Sequence, residues 1–305
     1  MRVQFKKIIC ATDFSDISNQ AIPYGAALAN EFGAKLYVCH IIDLSSVAIY
    51  GEFQLDPVGL QSRIKKDAQD QLEEMLGNQA ANWEPLITVG QTADEICRLV
   101  EENDVDLVIT ATRGRSGIKR LILGSVTERL MRTLPCPLLV VQGPEKPSLI
   151  SWDKEIRLKK ILVGCDFSAD SALAFQNALS LAQEFQSELH LMHVLETPAY
   201  QELAKPSNQL SGEIQDDLQD LLIKKLQEMV PEEARNWCVP QTVLKDGRPY
   251  EELAKYAESN EIDLIVLGIR GHGLVKTMFL GSTTDRVVRH SPCPVLSVAA
   301  KSKKE

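Results

Sequence analysis

Two carboxylates and two glycine-bearing loops are the groups in this chain best suited to chemistry. Asp13 follows the short apolar run Ile8–Ala11, and Asp166 follows Ile161–Cys165. Far downstream of each lies a loop of fixed spacing: A-T-R-G-R-S-G-I-K-R-L-I-L-G-S-V over Ala111–Val126, and G-I-R-G-H-G-L-V-K-T-M-F-L-G-S-T over Gly268–Thr283. Glycines let backbone N–H groups approach an anion closely, and a helix that starts after the loop adds the attraction of its dipole. A carboxylate opposite such a loop accepts hydrogen bonds from sugar hydroxyls or from an exocyclic amine. The chemistry these groups suit is capture of a phosphorylated, hydroxyl-bearing ligand.

Other chemistries find less support. There is no G-x-x-x-x-G-K-[ST] loop, no glycine-rich turn after the first strand, and no G-x-S-x-G. The S-G-G-x-D-S loop of ATP pyrophosphatases has no counterpart in A-T-D-F-S or G-C-D-F-S. No two pairs of His, Cys or Asp stand at metal-ligand spacing. Several residues also admit plain structural roles. Ser125 and Ser282, each with an acidic residue three positions on, read as helix N-caps as well as phosphate ligands. Asp13 could simply cap the helix after it. Arg113, Arg270, Lys119, Arg120 and Lys276 read as surface charge or phosphate contacts, and His40 and His193 as hydrogen-bonded residues at a sheet end.

The elements that must position these groups come in duplicate. Asp13 and Asp166 are 153 positions apart, as are His40 and His193, while Gly114 and Gly271, Ser125 and Ser282, and the two P-C-P triplets are 157 apart. The chain is therefore one unit written twice, and its 305 residues suffice for two domains. Residues 1–143 and 158–305 form the expected domains, and 144–157, with Pro144 and Pro147, the linker.

Within each copy, apolar runs alternate with helical spacing. Strands are expected at Ile8–Ala11, Leu36–Ile42, Pro85–Val89, Leu107–Ala111 and Leu138–Val141, and at the matching runs of the second copy. Helices are expected at Asp16–Phe32, Leu60–Leu76 and Thr92–Asn103, with a short one after the glycine loop. This alternation predicts an α/β fold: two tandem doubly wound domains, each a five-stranded parallel sheet with helices on both faces. With strand order 3-2-1-4-5, the exits of strands 1 and 4 flank the point where the order reverses, and there Asp and glycine loop would meet.

A net charge of −9 argues against a nucleic-acid partner. No apolar run approaches the roughly 18 residues needed to span a bilayer, and the N-terminus reads poorly as a signal peptide. The seven cysteines are odd in number, include no C-x-x-C and fit buried, reduced thiols. A cytoplasmic location is expected.

The early Asp, the G-x2-G-x9-G-[ST] loop and the V-T-E-R or T-T-D-R helix start together resemble the universal stress protein family, in its tandem two-domain form. The resemblance covers nearly all of both copies. It implies the 3-2-1-4-5 sheet and ATP or a related adenine nucleotide, with or without Mg, at the carboxyl edge. It assigns Asp13 and Asp166 to the ribose or base, and Ile41 and Val194 to adenine through backbone. It assigns Gly114, Gly124, Ser125, Gly268, Gly271, Gly281 and Ser282 to the phosphates, with Arg113, Val126, Arg270 and Thr283 counted beside them as candidate nucleotide-binding residues. It further implies an internal pseudo-dimer of the two domains, with a further homodimer left open. The function implied is a nucleotide-responsive stress regulator rather than a fast enzyme, with any ATP hydrolysis slow. One departure stands out: Ala111 occupies the place of Gly268. It keeps open the alternative of a scaffold or chaperone-like module with degenerate pockets, above all in the first copy.

Overall fold

The computed structural model describes residues 4–43, 57–77, 82–112, 123–142, 156–196, 212–271 and 280–299. The chain divides into two compact units, Gln4–Ile156 and Arg157–Glu305. The first contains strands β1 (Lys7–Ala11), β2 (Lys35–Ile42), β3 (Trp83–Val89), β4 (Leu107–Ala111) and β5 (Leu138–Val141). Its helices are α1 (Asp16–Asn19), α2 (Ala21–Phe32), α3 (Pro57–Leu76), α4 (Thr92–Glu102) and α5 (Ser125–Thr133). The second contains β6 (Lys160–Gly164), α6 (Ala169–Phe185), β7 (Glu188–Leu195), α7 (Gly212–Met229), β8 (Pro240–Asp246), α8 (Pro249–Ser259), β9 (Leu264–Gly268), α9 (Ser282–His290) and β10 (Val295–Val298).

Strand order is β3-β2-β1-β4-β5 in the first unit and β8-β7-β6-β9-β10 in the second. All neighbours within each unit run parallel. Both are the expected doubly wound α/β sheets with helices on both faces. Every residue of β4 and β5 is buried, which requires cover above and below and explains why both are apolar throughout except for Thr110. Helix α2 packs on β4 and α5 on β5, while α4 lies against β2 and α5, burying Ala93, Ile96, Leu99 and Val100 in one stripe at helical spacing. The prolines Pro85 and Pro240 fall on β3 and β8, the outer strands, where a missing N–H is tolerated.

Register at the sheet centre is fixed by one aspartate per unit. Asp106 accepts the N–H groups of Lys6 and Lys7 at 2.8 and 3.0 Å. Asp263 does the same for Lys159 and Lys160 at 2.7 and 3.0 Å. Each ties the entry of the first strand to the entry of the fourth, so their exits also stay level.

The helix expected over Asp16–Phe32 is in fact two, interrupted at Gln20. Pro23 is the reason. It has no N–H for the Asn19 carbonyl, so the helix restarts at Ala21, leaving the proline in a first turn where no such donor is needed. The second unit has Gln176 at the matching place, and α6 is continuous. A 3-10 turn, Glu232–Asn236, also follows α7 unannounced by the sequence.

Candidate functional site

The chain leaves β6 toward β7 and β9 toward β10, in opposite directions, so the two strand exits face each other. Asp166 lies two residues past β6 and Gly271 three past β9. A Cβ built on Gly271 would sit 2.7 Å from Asp166 Oδ2. Carboxylate and loop thus meet across the switch point, and a residue without a side chain leaves the carboxylate in place.

Gly268 is held by a different neighbour. A Cβ there would fall 2.6 Å from the Asp170 carbonyl carbon and 2.7 Å from Ser171 N, so the first turn of α6 lies flush against the end of β9. Ser168 caps that turn by accepting the Ser171 N–H at 3.2 Å and donates its own hydroxyl to the Arg270 carbonyl at 3.3 Å. Asp166 Oδ1 accepts the Ser168 N–H at 3.0 Å. Asp170, only 5% exposed, accepts the Arg270 backbone N–H at 3.0 Å and its guanidinium at 2.9 and 3.1 Å. These bonds raise the Arg270 pKa further above its ordinary value. The guanidinium of Arg270, read from the sequence as a phosphate contact or surface charge, is engaged by a buried carboxylate.

The first unit is built differently at the same place. Asp13 Oδ1 accepts the Ser15 N–H at 3.0 Å and the hydroxyls of Ser15 and Ser18, each at 2.6 Å. Thr12 joins this network through Ser18 and Asn19, at 3.1 and 2.7 Å. Ile17 stands where the second unit has Asp170, and Ala111 where it has Gly268. Arg113, Gly114, Lys119, Arg120 and Lys276 lie outside the described residues.

The returning end of each loop corrects the N-cap reading. Gly124 and Gly281 are the N-caps of α5 and α9, and no side chain caps either helix. Ser125 and Ser282 are therefore first-turn residues, followed by Val126 and Thr283. The cap glycines spend their own N–H groups on Thr112 and Ile269 carbonyls, at 2.8 and 2.9 Å. Helical bonding begins only at Glu128 and Asp285, so the three amides before each have no acceptor inside the helix. Thr127 and Thr284 pin the helices to the strands by donating to Ala111 and Gly268 carbonyls at 3.0 and 2.7 Å.

Strand 2 supplies the third wall. Thr12 N–H bonds the Cys39 carbonyl and Gly90 N–H the Ile42 carbonyl, at 3.0 and 3.1 Å. Backbone groups alternate sides along a strand, so the peptide groups of Ile41 face the β1 side, just where β1 has departed. The bonds from Cys165 to Met192 and from Gly247 to Leu195 give Val194 the same disposition beside β6. His40 and His193 contact the carbonyls of Thr12 and Cys165 through Nδ1, at 3.0 and 2.6 Å. A carbonyl only accepts, so Nδ1 carries the proton in both. Phe14 and Phe167 adopt left-handed φ values of 65° and 62°. Their rings lie 4.3 and 4.9 Å from those imidazoles. Burial, helped by the Asp166 charge, pushes the Cys165 thiol up to about 12, too high for a nucleophile.

Asp13, Asp166, Ile41, Val194 and the described loop residues thus gather at the carboxyl edge of their own sheets. Sequence reasoning missed Asp170 and the two phenylalanines, and it read Thr127 and Thr284 only as part of a helix start. Only the repetition of Thr127 and Thr284, and of Phe14 and Phe167, in both copies could have flagged them. Among the described residues no group of three His, Cys, Asp or Glu could hold a metal ion. No described helix is long and apolar enough to cross a membrane.

Comparison with known proteins agrees with this architecture. The model of the universal stress protein family matches residues 4–142 and again 157–299. Universal stress protein Slr1230 of Synechocystis is 26% identical over 317 residues, covering 96% of this chain and 99% of that protein. Universal stress protein MJ0531 of Methanocaldococcus jannaschii is 32% identical over 149 residues, 47% of this chain and 85% of that protein. A universal stress protein structure from Archaeoglobus fulgidus superposes with a TM-score of 0.71, covering 97% and 99% of the two chains, at 20% identity. At that identity it speaks to the fold alone.

Proposed function

The chain belongs to the universal stress protein family, with two of its domains in tandem, and from that premise we propose that it is a cytoplasmic, nucleotide-responsive regulator of a stress response. Each unit binds an adenine nucleotide, ATP foremost, at the carboxyl edge of its sheet. The observation that carries this reading is the apposition of Asp166 and Gly271, 2.7 Å from carboxylate oxygen to a built Cβ. A carboxylate that close to a side-chain-free turn suits a ribose bonded to the acid, with phosphates over the glycines. The three first-turn amides of α9 then face the phosphate charge. The N–H and C=O of Val194 offer one donor and one acceptor, the pattern that adenine's N1 and N6 edge complements. Mg²⁺ enters, on this reading, with the phosphates.

Isothermal titration of the full chain against ATP, AMP and GTP tests the proposal. Adenine nucleotides should bind and GTP should bind more weakly, and no uptake of any adenine nucleotide would overturn it. A second reading is favoured by Ala111 and Ile17: the first unit serves as an interaction module with a degenerate pocket, leaving one nucleotide per chain. A stoichiometry of one rather than two would select it. We also propose that the two units pair with each other as an internal pseudo-dimer. The corresponding expectation is a hydrodynamic mass of one chain at micromolar concentration, and a larger species would point to a homodimer.

A further inference from the structure

The two copies agree in Asp13 and Asp166 yet differ four residues later, where the first has Ile17 and the second Asp170. Asp170 is buried, sits in the first turn of α6 and reaches across to Arg270, the second of the two residues between Gly268 and Gly271. It holds both the backbone N–H and the guanidinium of Arg270, while Ser168 from the same turn holds the Arg270 carbonyl. Both peptide groups of Arg270 are thereby fastened to the helix that also carries the turn of Asp166. Gly268 permits this, since any side chain there would push the turn away.

We propose that Asp170 is a positioning residue for the second site: it fastens the start of the glycine loop to the Asp166 turn, a role that Ile17 at the matching position of the first copy cannot fill. The expected effect on affinity rests on the nucleotide reading above, whereas the fastening itself does not. A bond between a carboxylate and an amide is charge-assisted. Its loss should free the loop start and weaken ligand capture by about tenfold or more.

The test uses the full-length chain with Asp170→Ile, which copies the first unit, and Asp170→Asn, which keeps an acceptor oxygen and guards against misfolding of the first variant. Amide exchange at Arg270 is measured without nucleotide, and ATP titrations are run in an Asp13→Asn background that weakens the first site. Exchange at Arg270 should rise about tenfold or more in Asp170→Ile and less in Asp170→Asn, with second-site affinity falling in the same order. In an Arg270→Ala background the affinity change should shrink. Wild-type exchange at Arg270 in both variants overturns the fastening, and raised exchange with unchanged ATP affinity overturns the positioning role. An undiminished effect in the Arg270→Ala background would overturn the part assigned to the guanidinium and leave the backbone N–H bond, which survives that substitution, as the whole fastening. Should the unsubstituted chain take up no adenine nucleotide, the functional reading falls and exchange alone decides the fastening.

Discussion

Gly268→Ala adds one methyl group at the end of β9, and its cost can be worked from distances. The new carbon would lie 2.6 Å from the Asp170 carbonyl carbon, 2.7 Å from Ser171 N and 2.9 Å from Asp170 Cβ. Carbon atoms in contact sit about 3.5–4.0 Å apart, so the first turn of α6 must retreat by about 1 Å. Two of the three obstructing atoms belong to the backbone, so no rotamer change relieves them. Overpacking of this kind costs about 1–3 kcal/mol, and for a chain of this size that lowers the melting temperature by roughly 2–12 °C. The displaced turn carries Ser168 and Asp170, so ATP affinity should fall together with stability. Urea denaturation followed by circular dichroism, paired with calorimetric titration, reads both. A Gly268→Ala protein as stable as wild type, binding ATP equally well, would show that the turn is not seated against the strand as described. The argument from close approach would then fail.

Gly271→Ala should behave differently, because the obstructing atom is the tip of the Asp166 side chain. Stability should change by less than about 1 kcal/mol while ATP affinity drops about tenfold or more, as parallel melts and titrations would reveal. Gln186 caps α6 at a φ of 53°, where the first unit has Gly33; Gln186→Gly should stabilise by about 0.5–1 kcal/mol in urea denaturation. His190, 2% exposed, bonds Tyr256 through Nδ1 at 2.9 Å and leaves Nε2 without a hydrogen bond, 3.6 Å from Glu188. Burial lowers its pKa from 6.5 despite Glu188. Its stabilising contribution is thus present above the unfolded pKa and lost as pH falls through the folded one. Replacing it with tyrosine, the residue at position 37 in the first copy, should flatten the acid side of a stability–pH curve. Burial also pushes the Cys39 and Cys165 thiols up to about 12 and Cys10 higher still, so an aromatic disulfide reagent should modify the half-buried Cys97 and Cys136 first, and the five buried cysteines only on unfolding.

Much of this was legible in the sequence because the repeat tests each motif twice. The strands follow from apolar runs and spacing, their order from the family resemblance, and the meeting of Asp166 with Gly271 from that order's switch point. The serines were harder. S-V-T-E and S-T-T-D look like capping boxes, yet the glycine one place earlier takes the cap because its N–H closes on the residue just beyond strand 4. Pro23 sits inside an otherwise helical pattern, which by itself does not say where the helix restarts. Asp170 was hidden for another reason: an acidic residue in a first helical turn usually answers the helix dipole, and nothing local reveals a partner one hundred positions on.

Duplicated binding units start as equals, and the Ile17 and Asp170 positions mark where these two have parted. If one cup is braced and its twin is not, the pair fills at separate doses. Occupancy then climbs over a broader span of ligand than matched cups allow, with a slope shallower than a single binding curve. Such a molecule would answer its ligand as a graded gauge instead of an on–off trigger, and the side chains at these positions would help set how far apart its two marks lie.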